Sequence, residues 1–133
     1  MVAAMFLMVV LTFAVGVCAF VVRVRAVRAQ KVKVRAFKLM SGDLPEDVQK
    51  TTRCFNNQFE VPVMFYVAAL GYLALGHGDG WVGLSLAWVF VGTRYLHAYV
   101  LMTTNNILHR LTFFWIGAVA VLFLWGNLVW LAH

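Results

Sequence analysis

Four polar side chains, Arg53, Asn56, Asn57 and Glu60, lie close together just before a strongly apolar run. On an α-helix their spacing would place them on one face, within roughly 100° of arc. An ionisable side chain at the edge of lipid hydrocarbon is costly, so a guanidinium, a carboxylate and two carboxamides on one face indicate a site. The site would bind a small ligand that offers several hydrogen-bonding atoms.

Three further candidate residues, Arg94, His97 and Arg110, lie near the ends of two later apolar runs. We expect them at the same depth as the first four, where three arginines face one glutamate. A positive pocket with carboxamides suits a small anion. We also expect Arg94 to pair with Glu60, because Arg94 lies well inside an apolar run.

Structural roles remain open for some of these side chains. Glu60 paired with Arg53 or Arg94 would simply hold two helices together, and His97 would be a core histidine with satisfied hydrogen bonds. Arg110 is harder to explain in this way, because a cation at a helix start opposes the positive end of the helix dipole.

The amino-acid composition indicates that transmembrane helices position these residues. Of 133 residues, 63% are hydrophobic and 12% charged, whereas a soluble domain has about half and about a quarter. We therefore predict an integral, all-α membrane protein with one domain over residues 1–133, built as a four-transmembrane-helix up-down bundle. The expected spans are residues 2–22, 59–76, 81–101 and 111–131, each near the ~20 residues that cross a bilayer.

The basic residues predict the orientation of the bundle. All eleven lysine and arginine residues fall on one side of this topology, and seven of them lie within residues 23–38. The positive-inside rule places both termini outside and the 23–50 loop in the cytoplasm. The basic run serves orientation and anionic headgroups, or it forms a vestibule that attracts an anionic substrate. The first apolar segment lacks a basic start, so we interpret it as a retained helix and not a signal peptide.

The second span has a predicted start and a predicted kink. Asp43 is a suitable N-cap with Glu46 three residues later, and the helix is expected to run unbroken to about Leu75. Pro62 should kink it and free the carbonyl near residue 58.

Cysteine and histidine positions indicate neither a disulfide framework nor a metal site. Cys54 is a small buried hydrophobe or, less favoured, a reactive thiol. Haem binding is disfavoured because His77 and His97 lie at different depths on separate helices.

The motifs together resemble the MAPEG family (membrane-associated proteins in eicosanoid and glutathione metabolism). The resemblance rests on Arg53-x-x-x-Asn57-x-x-Glu60 followed by Pro62, on Arg94-x-x-His97, and on Arg110 thirteen residues after His97. It covers nearly the whole chain, and the stretch from Asn56 to Pro62 looks most like the bacterial branch, which implies a bacterial inner membrane.

The resemblance implies a homotrimer that binds glutathione between subunits, in the cytoplasmic half of the membrane. Residues matching Arg53, Asn57, Glu60, His97 and Arg110 contact or frame glutathione in relatives, and Asn56 and Arg94 join this expected binding set. Glu60 would receive the α-amino group, Arg53 and other cations the carboxylates, and Arg110 would stand beside the sulfur as the catalytic residue.

This chain departs from the family pattern in two ways: Pro62 follows Glu60 after one residue instead of two or three, and three positions lack a hydroxyl side chain. Leu101, Leu111 and Phe114 stand where proficient relatives carry hydroxyl side chains. Groups that bind glutathione are thus better retained than groups that assist thiolate chemistry.

Three functions follow as alternatives. The first is a glutathione-dependent transferase or peroxidase acting on lipophilic electrophiles or hydroperoxides that arrive from the lipid bilayer. The second is a non-catalytic membrane protein that keeps the scaffold and a ligand. The third is a small four-helix transporter with Glu60 as a proton-coupled carboxylate, although small exporters place that glutamate in the first span. No nucleic-acid partner is expected.

Overall fold

The structure, a computed structural model, describes residues 1–39 and 44–133, and those residues form helices and connecting turns without a strand. The helices are α1 (Val2–Arg28), α2 (Ala36–Leu39), α3 (Glu46–Asn56), α4 (Val61–Ala74), α5 (Trp81–Met102) and α6 (Ile107–Leu131), with a 3₁₀ turn over Asn57–Phe59 between α3 and α4. The all-α prediction is confirmed in the described ranges.

Two helices are long and apolar enough to cross a membrane, namely α1 with 27 residues and α6 with 25. They are about 40 and 37 Å long at 1.5 Å per residue. They contain the predicted spans 2–22 and 111–131. The 14 residues of α4 extend only about 21 Å, and α5 carries buried polar groups, so for these two the crossing of the membrane stays a prediction.

The segment 23–50, expected as a loop, is partly helical. Helix α1 continues six residues past the predicted end to Arg28, and α2 and the start of α3 also fall in this segment. The sequence after residue 22 holds valine, alanine and arginine without a helix breaker. Arg25 and Arg28 also lie in the last turn of α1, where cations suit the negative end of the helix dipole.

The helix predicted to run unbroken to Leu75 is interrupted. Helix α3 ends at Asn56, and Glu60 takes a non-helical conformation (φ −100°, ψ −104°) before α4 begins. Pro62 lies in the first turn of α4, where its missing N–H costs nothing, so it starts a new helix instead of kinking an old one. At the other end, the N-cap of α3 is Pro45, and the predicted cap Asp43 lies outside the described residues.

Helix packing and two hydrogen bonds fix the position of each end of α1 in the bundle. Helices α5 and α6 share the largest interface, α4 packs on α6, and α1 packs on α3 and α5. The Met1 amino group donates to the Gly78 carbonyl at 3.1 Å, which sets the start of α1 beside the turn between α4 and α5. At the opposite end, Arg23 donates to Thr52 at 3.0 Å. This is the up-down arrangement that the short turns predict.

Candidate functional site

A cavity of about 420 Å³ opens where α3, the 3₁₀ turn, α5 and α6 meet. Six of the seven residues predicted for the site line it, and the seventh, Arg94, lies behind its wall. The lining residues are Arg53, Asn56, Asn57, Glu60, His97, Leu101, Arg110, Leu111 and Phe114. Residues far apart in sequence are thus brought together, although their roles stay predictions.

The interrupted helix supplies the first four of these side chains. At its break the Gln58 side chain donates to the Cys54 carbonyl at 3.2 Å. Beyond the 3₁₀ turn, Glu60 is exposed at the cavity, as are Arg53 and Asn56. The shared face predicted from helical spacing therefore survives the break.

Arg94 holds the break from inside the bundle. Its side chain is only 1% exposed, and its Nη2 atom donates to the Asn57 carbonyl at 2.8 Å. The expected ion pair with Glu60 is wrong, because no such pair forms among the described residues and the guanidinium takes a freed backbone carbonyl instead. The prediction that the proline region frees a carbonyl near residue 58 is close, since the acceptor belongs to residue 57.

The Nε and Nη1 atoms of Arg94 are buried without a hydrogen-bond partner in the described part of the chain. Their positive charge lies just behind the cavity wall, where the low dielectric screens it weakly. Arg94 therefore contributes to the potential in the cavity without lining it.

His97 is 2% exposed but lines the cavity from α5. Its Nδ1 atom is buried and has no hydrogen-bond partner among the residues described. Its ring packs against Phe114 with 6.1 Å between the ring centroids. The alternative of a core histidine with satisfied hydrogen bonds does not hold at Nδ1.

Arg110 is held in place by Asn105, a turn residue for which the sequence predicted no role. Its Nη1 atom donates to the Asn105 side-chain oxygen at 3.0 Å. Asn105 adopts a left-handed backbone conformation (φ 49°), which asparagine tolerates better than most residues. The next residue, Asn106, caps α6 by accepting from the backbone N–H groups of Leu108 and His109. In the sequence, the Asn105-Asn106 pair was the feature that could have indicated a turn orienting Arg110.

The remaining wall of the cavity is apolar. It consists of Leu101, Leu111 and Phe114, the three positions at which the resemblance led us to expect hydroxyl side chains. None of the nine lining residues carries a hydroxyl group. His109, which lies near Arg110 in sequence, is exposed and does not line the cavity.

The charges around the cavity favour an anion. Two arginines and one glutamate line it, and the buried Arg94 adds a third positive charge. Within residues 1–39 and 44–133 the ion pair that forms is Lys50 with Glu46 at 2.7 Å, and neither residue lines the cavity. The lining charges therefore have no ionic partner in the described protein and are free to meet a ligand.

Comparison with known proteins gives one match. A model of the MAPEG family matches residues 1–130, nearly the whole chain. No curated protein matches the chain, and neither does any solved structure.

Proposed function

Because this chain belongs to the MAPEG family, a family of membrane proteins, we propose that it is a membrane-embedded glutathione-dependent transferase or peroxidase. Its substrates would be lipophilic electrophiles or hydroperoxides. The observation that carries the proposal is the cavity, which gathers Arg53, Glu60 and Arg110 around one space.

The charge pattern of the cavity complements glutathione. At neutral pH the tripeptide has two carboxylates, one ammonium group and two peptide bonds. Arg53 would bind a carboxylate, Glu60 the α-ammonium group, and Asn56 and Asn57 the amides. The cavity volume of about 420 Å³ falls within the ~300–1,000 Å³ of typical small-molecule sites.

Arg110 would stabilise the thiolate of the bound glutathione. Lowering the pKa of a thiol by two units needs about 2.7 kcal/mol of preferential thiolate stabilisation. A guanidinium about 4 Å from the sulfur, at an effective dielectric constant near 20, supplies about 4 kcal/mol. Because Asn105 already orients Arg110, little of this electrostatic free energy is offset by the entropy lost in ordering the Arg110 side chain. In the transferase reaction the thiolate sulfur would bond to the electrophilic carbon while the leaving group departs with the bonding electron pair. In the peroxidase reaction it would bond to the outer hydroperoxide oxygen as the O–O bond breaks, which releases an alcohol after protonation, and a second glutathione would then convert the sulfenic acid to a disulfide and water.

The apolar wall suits a lipophilic second substrate. Leu101, Leu111 and Phe114, the apolar residues among those that line the cavity, would contact it. These side chains donate no hydrogen bond to sulfur, so thiolate stabilisation would rest on Arg110 with His97 nearby. The same observation favours the second candidate, a non-catalytic protein that binds glutathione or a similar anion.

Family membership also supports assembly as a homotrimer, in which the open side of the cavity would face a neighbouring subunit. We include this in the proposal because glutathione would then be held between two chains. Cross-linking of the purified protein, followed by denaturing electrophoresis, would resolve monomer, dimer and trimer bands.

The test is conjugation of glutathione to a lipophilic electrophile by the wild type and by Arg110→Ala. If Arg110 lowers the thiol pKa by two units, the variant should hold about twenty-fold less thiolate at pH 7. Its thiolate ultraviolet absorption and its turnover should fall together, while glutathione binding persists. Arg25→Ala, an arginine outside the cavity, is the control.

Unchanged turnover in Arg110→Ala would refute the catalytic assignment. Glutathione binding without turnover or thiolate absorption in the wild type would instead support the non-catalytic candidate.

A further inference from the structure

A second built feature lies on the opposite side of α3, along one face of α1. Two apolar cavities of about 460 and 430 Å³ follow this face and meet at Phe20. The α1 residues that line them recur every three or four positions, so they form one stripe on the helix. The apolar members of this stripe are Phe13, Gly16, Val17, Phe20, Val24 and Val27, and Thr12, Arg23 and Arg28 line the cavities beside them. We call this feature the α1 groove.

Other elements close the α1 groove on its flanks. Phe55 and Phe59 line the half of the groove between Phe13 and Phe20, and Val34 and Phe37 line the half between Phe20 and Val27. Gly16 lets the Phe55 ring pack closely against α1, because a Cβ atom at this position would lie 3.1 Å from the ring. The groove is thus shaped by α3 and by the segment after α1, and is more than an exposed helix face.

The length of the α1 groove fits a lipid chain. From Phe13 to Val27 the helix rises about 21 Å at 1.5 Å per residue. One leaflet of a bilayer has about 15 Å of hydrocarbon, half of a ~30 Å core. The groove is therefore longer than the hydrocarbon of one leaflet, so it can hold an acyl chain over that depth and leaves its remaining length beside the headgroup.

Two arginines, Arg23 and Arg28, line the end of the groove nearest the basic segment with the aliphatic parts of their side chains, because the cavity surface there is entirely apolar. Arg23 is held in place by its bond from Nη2 to the Thr52 hydroxyl at 3.0 Å. Its Nε atom is buried and unpaired in the part of the chain that the structure describes. Neither arginine has a carboxylate partner among the described residues. A fixed guanidinium above an apolar groove suits a phosphate group attached to an acyl chain.

We propose that the α1 groove binds an anionic phospholipid, with its phosphate at Arg23 and Arg28 and one acyl chain along Phe20 and Val17. The proposal is independent of the glutathione site, with which the groove shares no lining residue. It makes the basic segment a specific lipid site in addition to a topology signal. Tight binding there would fix the end of α1 against α3 through the Arg23–Thr52 contact.

The experiment measures lipid binding to the delipidated full-length protein in detergent by native mass spectrometry. Phosphatidylglycerol should bind saturably and about tenfold or more tighter than phosphatidylcholine of the same chains. The double variant Arg23→Gln/Arg28→Gln should bind it about thirty-fold more weakly, since each arginine near an anionic headgroup contributes about 1 kcal/mol and tenfold is 1.4 kcal/mol. The single variant Arg28→Gln removes no side-chain hydrogen bond that forms within residues 1–39 and 44–133, and it should bind phosphatidylglycerol about five-fold more weakly.

A matched double variant separates a site from general attraction. Arg25→Gln/Arg35→Gln removes the same charge from the same segment, but neither residue lines the groove. It should weaken phosphatidylglycerol binding less than about threefold. Equal losses in the two double variants, or equal binding of the two lipids, would overturn the proposal.

Filling the groove tests the acyl chain. Val17→Trp keeps both arginines and should still reduce phosphatidylglycerol binding about tenfold. Soluble glycerol phosphate should not compete at the concentrations that saturate the lipid. Competition by glycerol phosphate would show a headgroup-only site, and a change of oligomeric state in Val17→Trp without loss of lipid would show that a second copy of the chain fills the groove. Either result would contradict the proposal.

Discussion

At Arg94, burial and hydrogen bonding together decide what the residue does. A guanidinium that is 1% exposed needs an acceptor, and the interrupted helix provides one in the Asn57 carbonyl. A pair with Glu60 would have satisfied the same need, but it would have taken the carboxylate away from the cavity. Because the backbone serves as the acceptor, Glu60 remains available for a ligand.

Cys54 provides a test at the scale of one residue. It lies on α3, and burial raises the pKa of its thiol from 9.0 to about 11, although the Arg94 charge acts in the opposite direction. In a Cys18→Ala protein, Cys54 should react with iodoacetamide at neutral pH about 300-fold more slowly than a free thiol of pKa 8.5. Measured alkylation rates, with the denatured protein as the control, check this.

The same pKa shift has a defined effect on stability. The folded protein keeps the Cys54 proton up to about pH 11, whereas the unfolded chain releases it near 9.0. The free energy of unfolding should therefore be independent of this group below about pH 8 and fall between about pH 9 and 11. Rapid alkylation of folded Cys54 at neutral pH would contradict both expectations.

Among the elements, the helix predicted over residues 45–75 has the expected position, but the prediction that it is unbroken was wrong. Its polar face and its proline are visible in the sequence, and both are present at the cavity. The break was missed because local spacing treats residues 45–75 as one helix. It depends on Arg94, a partner 37 residues away that hydrogen-bonds the freed carbonyl. Tertiary partners of this kind cannot be identified from the pattern of one element.

Helix α5 offers a matched pair of glycines. A Cβ atom at Gly83 would collide with the ring of Tyr72, whereas one at Gly92 would meet nothing within 4 Å. The Tyr72 hydroxyl donates to Asn127 at 2.6 Å and ties α4 to α6. We expect Gly83→Ala to destabilise the bundle by about 1–3 kcal/mol.

Gly92→Ala should leave stability unchanged or raise it by up to about 1 kcal/mol, because alanine is the better helix former. Thermal unfolding of both variants, followed by circular dichroism in one detergent, compares them directly. Equal midpoints for the two would show that α4 does not pack on α5 through Tyr72.

For the whole molecule, the number of membrane crossings distinguishes two arrangements. Among the helices in residues 1–39 and 44–133, α1 and α6 are the two that are long and apolar enough to cross a membrane. A protein with these two spans would leave the turn at Gly78 inside. The four-span topology places that turn outside, beside the Met1 amino group. Reporter fusions after Gly78 should therefore report the outer side, with fusions after Lys50 and His133 as inner and outer controls. An inner signal at Gly78 would refute four spans.

The overall composition predicted the helical class. The ordered motifs around Arg53, Arg94 and Arg110 indicated the family, and the family match over residues 1–130 confirms that resemblance. The sequence also predicted which polar side chains would gather. It did not predict that Asn105 would orient Arg110, or that Arg94 would lie behind the cavity, because both depend on where α5 and α6 turn toward the broken helix.

The most direct test of the account is calorimetric titration of glutathione into the detergent-purified protein. The wild type should bind glutathione saturably, and Arg53→Ala should lose about 2 kcal/mol, roughly thirty-fold in Kd, because a charge-assisted hydrogen bond to a carboxylate is removed. Arg25→Ala, outside the cavity, should bind like the wild type. Absence of binding at millimolar glutathione, or equal binding by wild type and Arg53→Ala, would contradict the assignment of this cavity as a glutathione site.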